Sequence, residues 1–169
     1  MAKRAAPVDA ITLLKADHKK VKALLAALEK ASERSADRRT KLLQQIEAEI
    51  NVHSTIEEEI FYPAYRDAVK KKDDRVLYQE ALEEHHVVDL VMPEVKASDP
   101  ASEVFAAKAK VLKELIEHHA DEEEKEMFKT ARKVLDKDEL RALGSRMQER
   151  KKQLKAAGSP RLGQEAGGA

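Results

Sequence analysis

The chain has 169 residues, a length that suits one domain with a sizeable hydrophobic core. Its 32 basic and 32 acidic residues give a formal net charge of zero, so no overall field favours nucleic acid or an anionic membrane surface. Cysteine is absent, which excludes disulfides, thiolate metal sites and a cysteine nucleophile. Any metal site must therefore use nitrogen and oxygen ligands.

The first residues, MAKRAAPVDAITLL, lack the continuous apolar stretch of a signal peptide. No apolar run approaches the roughly 20 residues that a membrane span requires. The absence of cysteine fits a reducing compartment. These features predict a cytoplasmic protein with no nucleic-acid and no membrane partner.

Four long segments carry apolar residues at heptad-like spacing, the pattern of helices that bury one stripe against their neighbours. We expect the first three at about residues 7–34, 37–71 and 75–97, with bends at Pro63 and Pro93. The fourth is predicted to begin at Asp99 and Pro100, a cap followed by proline in the first turn.

A capping box formed by Asp136 and Glu139 predicts a shorter fifth helix that ends at about Ala157. The segment 158–169, GSPRLGQEAGGA, is predicted to be a disordered tail. Short connections between long helices favour antiparallel neighbours. The expected fold is therefore all-α, an antiparallel up-down-up-down four-helix bundle with a short C-terminal fifth helix, in one domain over residues 1–157.

Ionisable residues occupy inward positions on two of the predicted stripes. His18 lies on the stripe of the first helix, and His53 and Glu57 lie on that of the second. Buried ionisable groups are costly unless they are paired or bind a metal, so a shared metal site is one explanation. His18 and His53 are equally far from the predicted turn at residues 35–36, which places them at similar height on antiparallel helices.

Adjacent histidines in the third and fourth helices have to be distinguished. His85 continues an apolar stripe, whereas the stripe through His86 soon meets polar residues. His119 continues an apolar stripe together with Glu123, whereas the stripe through His118 contains lysines. We therefore favour His85 and His119, although a one-residue helical irregularity would exchange either pair.

The two halves of the chain resemble each other. DHKKV at 17–21 parallels EHHVV at 84–88, and each half also has one HxxxE pair, whose two side chains share a helical face. Four imidazoles and two carboxylates suit iron, manganese or zinc, and two carboxylates can bridge ions about 3.5–4 Å apart. The pattern favours a di-iron site with open positions for water, dioxygen, peroxide or nitric oxide.

The order of an isolated histidine, HxxxE, a second isolated histidine and a second HxxxE resembles the hemerythrin-like family, or HHE cation-binding domain, over roughly residues 8–135. The stretches HSTIEEEIFYP and EHHADEEEKEMF are also similar to it. The resemblance implies an antiparallel bundle that holds two iron ions, with terminal histidine ligands and bridging carboxylates. Carried over by position, these ligands are His18, His53, His85 and His119, with Glu57 and Glu123 as the bridges.

The family resemblance implies binding or sensing of a small oxidant: dioxygen, nitric oxide or peroxide. The alternatives are a di-iron enzyme that removes peroxide or nitric oxide, an iron-handling protein, and a metal-free helical interaction module. Oxygen-carrying hemerythrins have HxxxH in the third helix, whereas here Asp89 follows His85 by four residues, and their final HxxxxD is missing after His119. The change argues against reversible dioxygen carriage, and Asp89 is a candidate ligand or hydrogen-bond partner of a ligand.

Polar residues around these positions have simpler interpretations. A solvated helix face is predicted for Glu58, Glu59, Glu122 and Glu124, with an extra metal ligand or a metal entry path as the alternative. Boundary packing is predicted for Tyr62 and Tyr65, with a hydrogen bond near the site or a redox role as the alternative. An exposed basic helix face is predicted for Arg146, Arg150, Lys151, Lys152 and Lys155.

Overall fold

The computed structural model describes residues 8–158, and all regular structure within that range is helical. Its α-helices are α1 (Ala10–Lys30), α2 (Ala36–Ile56), α3 (Tyr62–Ala68), α4 (Lys72–Lys96), α5 (Glu103–Glu122), α6 (Phe128–Val134) and α7 (Lys137–Ala156). None of these helices is long and apolar enough to cross a bilayer. The predicted helix start at Pro7 and the predicted tail from residue 159 onward lie outside the described residues.

Single π-helical turns join two pairs of these helices into continuous rods. Glu57–Phe61 connects α2 to α3, and Glu123–Met127 connects α5 to α6. The bundle therefore consists of four rods, namely α1, α2–α3, α4 and α5–α6, and α7 packs on the outside against α1 and α2. The predicted all-α four-helix bundle with a C-terminal helix is confirmed.

The ends of α1 follow from local hydrogen bonds. Asp9 caps the start of α1, because its side chain accepts a hydrogen bond from the Thr12 amide at 3.0 Å. The helix ends at Lys30, four residues before the predicted end, because Ala31 is extended. The second rod likewise ends earlier than predicted, at Ala68, and α4 begins at Lys72.

The predicted cap of the fourth helix is wrong. Ser102 caps α5, and its hydroxyl oxygen accepts from the Phe105 amide at 3.1 Å. Asp99 instead accepts a hydrogen bond from the Ala101 amide within the preceding turn. Its side chain therefore stabilises that turn rather than the start of the helix. In the helix before this turn, Pro93 does not end α4, which continues to Lys96.

The interior contains two apolar clusters separated by a belt of buried polar residues. One cluster, at the end near the α1–α2 connection, includes Val21, Leu25, Leu28, Leu43, Ile46, Val88, Phe105 and Leu112. The other, covered by α7, includes Ile11, Leu14, Ile56, Phe61, Tyr65, Phe128, Leu140 and Met147. Since α1 passes from Leu14 to Val21 between the clusters, His18 falls in the belt.

The C-terminal helix α7 starts with the predicted capping box. Asp136 Oδ1 accepts from the Glu139 amide at 2.8 Å, and Glu139 Oε2 accepts from the Asp136 amide at 2.7 Å. Two turns later, Gly144 lies directly on the first residues of α1. A Cβ atom at Gly144 would collide with the Val8 carbonyl oxygen and come within 2.9 Å of the Ala10 nitrogen. The absence of a side chain at Gly144 therefore allows α7 to pack this closely.

Candidate metal centre

The structure brings all six predicted ligand residues together in the polar belt. Each is at most 7% exposed: His18, His53, Glu57, His85, His119 and Glu123. The four imidazoles come from the four rods, one from each. His86 and His118, the alternatives in the third and fourth rods, are exposed.

Glu57 lies between two histidines of different rods. Its Oε1 atom is 3.1 Å from His53 Nε2, and its Oε2 atom is 3.3 Å from His85 Nε2. Each oxygen therefore faces one half of the bundle. This is the arrangement that a carboxylate needs in order to bridge two cations.

Glu123 uses its two oxygens differently. Its Oε2 atom faces His18 Nε2 at 3.1 Å and His119 Nε2 at 3.6 Å. Its Oε1 atom accepts a hydrogen bond from the hydroxyl of Tyr62 at 2.9 Å. Tyr62 is fully buried, so its interpretation as a boundary residue is wrong. The hydroxyl fixes the rotamer of Glu123 and leaves one oxygen directed at the histidines.

The donor atoms form two groups that share Glu57, and within each group they lie within 4.8 Å of one another. Site one contains His18, His53, Glu57 and Glu123. Site two contains Glu57, His85 and His119. The two sites meet closely, since Glu57 belongs to both and Glu123 Oε2 of site one is 3.6 Å from His119 Nε2 of site two.

Several of these atoms are buried without hydrogen bonds. Among the described residues, no hydrogen-bond partner exists for His18 Nε2, His53 Nε2, both Glu57 oxygens and Glu123 Oε2. A buried polar atom without a partner costs about 1–3 kcal/mol. Imidazole and carboxylate donors that converge in this way fit a transition-metal ion, so the residues present suit the cations that the sequence predicts.

The outer nitrogen of each imidazole lies against a carboxylate of a neighbouring rod. The Nδ1 distances are 2.9 Å for His18 to Glu124, 3.4 Å for His53 to Asp17, 2.7 Å for His85 to Glu58 and 2.6 Å for His119 to Glu84. A carboxylate that accepts from Nδ1–H leaves Nε2 free to bind a metal and holds the ring in place. These four acids form a closed ring around the bundle, which we call the support ring.

The support ring corrects part of the sequence interpretation. Glu58 and Glu124 do not form a merely solvated face, because each accepts a hydrogen bond from a buried histidine. Asp17 and Glu84 were not predicted. A signal was present, since each ring acid is adjacent in sequence to a predicted ligand: DH at 17–18, EE at 57–58, EH at 84–85 and EE at 123–124.

The remaining candidate acids lie outside both sites. Asp89 is exposed and belongs to neither group of donor atoms. Glu59 accepts two hydrogen bonds from Arg150. Glu122 lies near the surface, 3.6 Å from the Nε2 atom of His118.

Both π turns begin at a glutamate of the candidate metal centre. The Tyr62 amide donates to the Glu57 carbonyl, and the Phe128 amide donates to the Glu123 carbonyl, five residues back in each case. Proline is not the common cause, because Pro63 follows only the first turn. An extra residue in a turn changes the direction of the side chains around it, and such turns often mark functional sites.

Charge pairing dominates the centre when no metal neutralises it. Burial lowers the pKa of His53, but Glu57 and Asp17 outweigh it and raise the pKa to about 10. Burial likewise lowers the pKa of His85, but the nearby carboxylates of Glu57 and Glu58 outweigh it and raise the pKa above its ordinary value. Burial raises the pKa of Glu57, yet His53 and His85 bring it well below its usual range. In the metal-free centre, protons on the histidines thus supply the positive charge that bound metal ions would otherwise supply.

The metal-free protein should lose stability as the pH rises from about 6.5 to about 10. In this window the folded chain keeps a proton on His53 that the unfolded chain has released. The stabilisation is complete below the unfolded pKa of 6.5 and is lost through the folded pKa of about 10, with a slope of at most about 1.4 kcal/mol per pH unit. Urea denaturation of chelator-treated protein across this range measures the slope.

Two matched histidine variants test whether this pH dependence of stability comes from His53. His53→Gln should reduce the slope to the part that His85 contributes, whereas the exposed His86→Gln should keep it. A wild-type protein whose stability is constant between these pH values would contradict the proton-filled centre.

A small apolar cavity of about 30 Å³ lies beside the centre, on the side of the first apolar cluster. Its walls include the four histidine rings and the side chains of Val21, Ile50, Val88 and Ile116. The volume suffices for one water-sized molecule. The cavity therefore offers space for a small uncharged molecule against the imidazole rings of both sites.

Comparison with known proteins agrees with this geometry. The sequence profile of the hemerythrin HHE cation-binding domain matches residues 9–131. A crystal structure of a hemerythrin HHE cation-binding domain-containing protein from Mycobacterium kansasii superposes with a TM-score of 0.77, at 27% identity, over 89% of each chain.

A curated protein of Nostoc sp., named a DNA nickase, is 25% identical over 145 residues. The match covers 82% of this chain but only 40% of the length of that relative. The profile match covers most of the described residues and contains all six convergent side chains. The chain therefore belongs to the hemerythrin HHE cation-binding domain family.

Proposed function

We propose that the chain is a di-iron protein that binds or senses a small oxidant, namely dioxygen, nitric oxide or peroxide. The position of Glu57 carries the proposal, because its two oxygens face histidines of different rods at 3.1 and 3.3 Å. One carboxylate thus serves both sites, which favours a pair of ions over two independent ions. Four imidazoles and two carboxylates match iron, with manganese and zinc as competitors for the same donors.

Different residues would bind the ions, orient the histidines and exclude water at the centre. A pair of iron ions, when bound, would supply the electrons that reduce a small oxidant. The histidines would hold the ions through Nε2, and the support ring would accept the hydrogen bond from each Nδ1–H and so orient each ring toward its ion. The apolar walls at Val21, Ile50, Val88 and Ile116 exclude bulk water and limit the size of the ligand.

The same geometry would also serve an enzyme that removes peroxide or nitric oxide, or a protein that handles iron. Turnover in excess of the bound metal distinguishes the enzyme from the sensor. The predicted cytoplasmic location is part of this proposal.

We do not infer nucleic-acid binding or cleavage from the name of the Nostoc relative. This chain spans 40% of that protein, and basic side chains of α7 pair with acids of the bundle. The absence of a nucleic-acid partner stays a prediction, and incubation of metal-loaded protein with supercoiled plasmid tests it.

Metal analysis tests the proposed function directly. Protein from iron-supplemented cells should contain close to two iron ions per chain, and its optical spectrum should change when dioxygen, nitric oxide or peroxide is added to the reduced form. Protein that holds no stoichiometric metal after loading with iron, manganese or zinc would overturn the proposal and favour a metal-free interaction module.

A further inference from the structure

Two basic residues of α7, Arg150 and Lys151, pair with acids of the bundle. Arg150 donates two hydrogen bonds to the carboxylate of Glu59, at 2.7 and 2.9 Å. Lys151 Nζ donates to Asp17 Oδ1 at 2.5 Å. The prediction of an exposed basic face is therefore wrong at these two positions, because their acidic partners lie on α1 and in the first π turn.

Lys151 is connected to the metal centre through one residue. Asp17 uses Oδ1 for Lys151 and presents Oδ2 to His53 Nδ1 at 3.4 Å. His53 in turn directs Nε2 at Glu57 in site one. A cation of the C-terminal helix thus reaches a predicted metal ligand through one shared carboxylate.

Asp17 is the most buried acid of the support ring, so it depends strongly on the charge of Lys151. Its side chain is 11% exposed, compared with 20% for Glu84, 31% for Glu124 and 36% for Glu58. A carboxylate at that depth needs compensation, because removing one partner of a buried pair leaves an uncompensated charge. Its distance to the imidazole is also the longest in the ring, so the orientation of Asp17 depends on Lys151 as well as on His53.

We propose that Lys151 is a positioning residue for site one, which orients Asp17 so that it supports His53. The inference rests on the proposed di-iron function and names the part of the chain that tunes it. The helix α7 lies outside residues 9–131, which match the family profile. The docking of α7 thereby regulates how firmly site one retains its ion, whereas the Nδ1 atoms of His85 and His119 in site two lie against Glu58 and Glu84.

Metal release from the full-length iron-loaded protein tests this inference without any activity assay. In Lys151→Met, which keeps most of the aliphatic stem, one of two ions should pass to a chelator about tenfold faster than in the wild type, while the other keeps its rate. Lys151→Arg should restore slow release, because it keeps a cation near Asp17. Unchanged release in Lys151→Met would overturn the inference.

Two controls separate positioning from a loosened helix. Arg150→Met removes the neighbouring contact of α7 with Glu59 but leaves Lys151 and Asp17 in place, so its release rate should remain that of the wild type. Release from Arg150→Met as fast as from Lys151→Met would overturn the inference, because general loosening would then suffice. Lys152→Met, at a side chain that is 79% exposed, should have no effect.

A double-mutant cycle tests the route through Asp17. Asp17→Asn alone should speed the release of one ion, and adding Lys151→Met should change it little, since the two residues act as a unit. Additive effects would overturn the proposed route. A wild-type protein that retains no metal contradicts the di-iron proposal instead, so the two failures are distinguishable.

Discussion

Glu57→Gln should leave the chain with at most one tightly bound metal ion. Glutamine preserves the volume and one oxygen, but its amide nitrogen cannot act as a ligand. Since the two oxygens of Glu57 face His53 and His85 separately, the substitution removes a donor from one of the sites. Metal content after loading with excess iron and desalting, measured by elemental analysis, should fall from about two ions per chain to one or fewer.

The matched control is Glu126→Gln. Glu126 lies in the second π turn but is exposed, so its loss should leave the metal content unchanged. Circular dichroism should show the same helix content in both variants. Two ions retained by folded Glu57→Gln would contradict the role of Glu57 as a shared ligand.

Gly144→Ala should destabilise the protein by about 3 kcal/mol, at the upper end of the usual effect of overpacking. The added methyl group would collide with the Val8 carbonyl oxygen and lie 2.9 Å from the Asp9 carbonyl carbon. These are backbone atoms, which cannot rotate away as the end of a side chain can. Either α7 or the start of α1 has to move, and buried contacts of Leu140 and Met147 are lost with it.

Urea denaturation measures this loss of stability. Ser145→Ala, at the exposed neighbouring position, is the control and should change the free energy of unfolding by less than about 0.5 kcal/mol. Equal stability of Gly144→Ala and Ser145→Ala would mean that α7 does not pack on α1 as closely as described.

The sequence predicted both the bundle and which histidine of each adjacent pair is buried. Both predictions follow from the single apolar stripe on each helix. An apolar stripe has to face the core, so an ionisable residue within it is carried inward with its neighbours. That reasoning places His85 inside and His86 outside, as the structure does. The family resemblance implied the same choice, and the profile match confirmed the family.

The support ring was not predicted because a single-helix pattern does not contain it. A residue adjacent to an inward position lies at the edge of the core stripe, where it meets the next helix. Asp17 and Glu58 therefore look like surface acids on their own helices, although each reaches a histidine of another rod. The same holds for Lys151, whose partner is 134 residues away in the chain.

The π turns also escaped prediction. Their sequences, EEEIF and EEKEM, have no residue that requires a five-residue hydrogen bond. They arise where Glu57 and Glu123 have to point at histidines of other rods, so tertiary contacts decide the local geometry.

The support ring repeats after half a turn around the bundle axis. In each half of the chain, an acid of the first helix serves a histidine of the second, as Asp17 serves His53 and Glu84 serves His119. Across the halves, Glu58 serves His85 just as Glu124 serves His18. Two identical helical hairpins, associated by a two-fold axis, would make every one of these contacts. The centre thus has the form expected of a duplicated and fused ancestral hairpin, in which neither copy could complete a ligand set without the other.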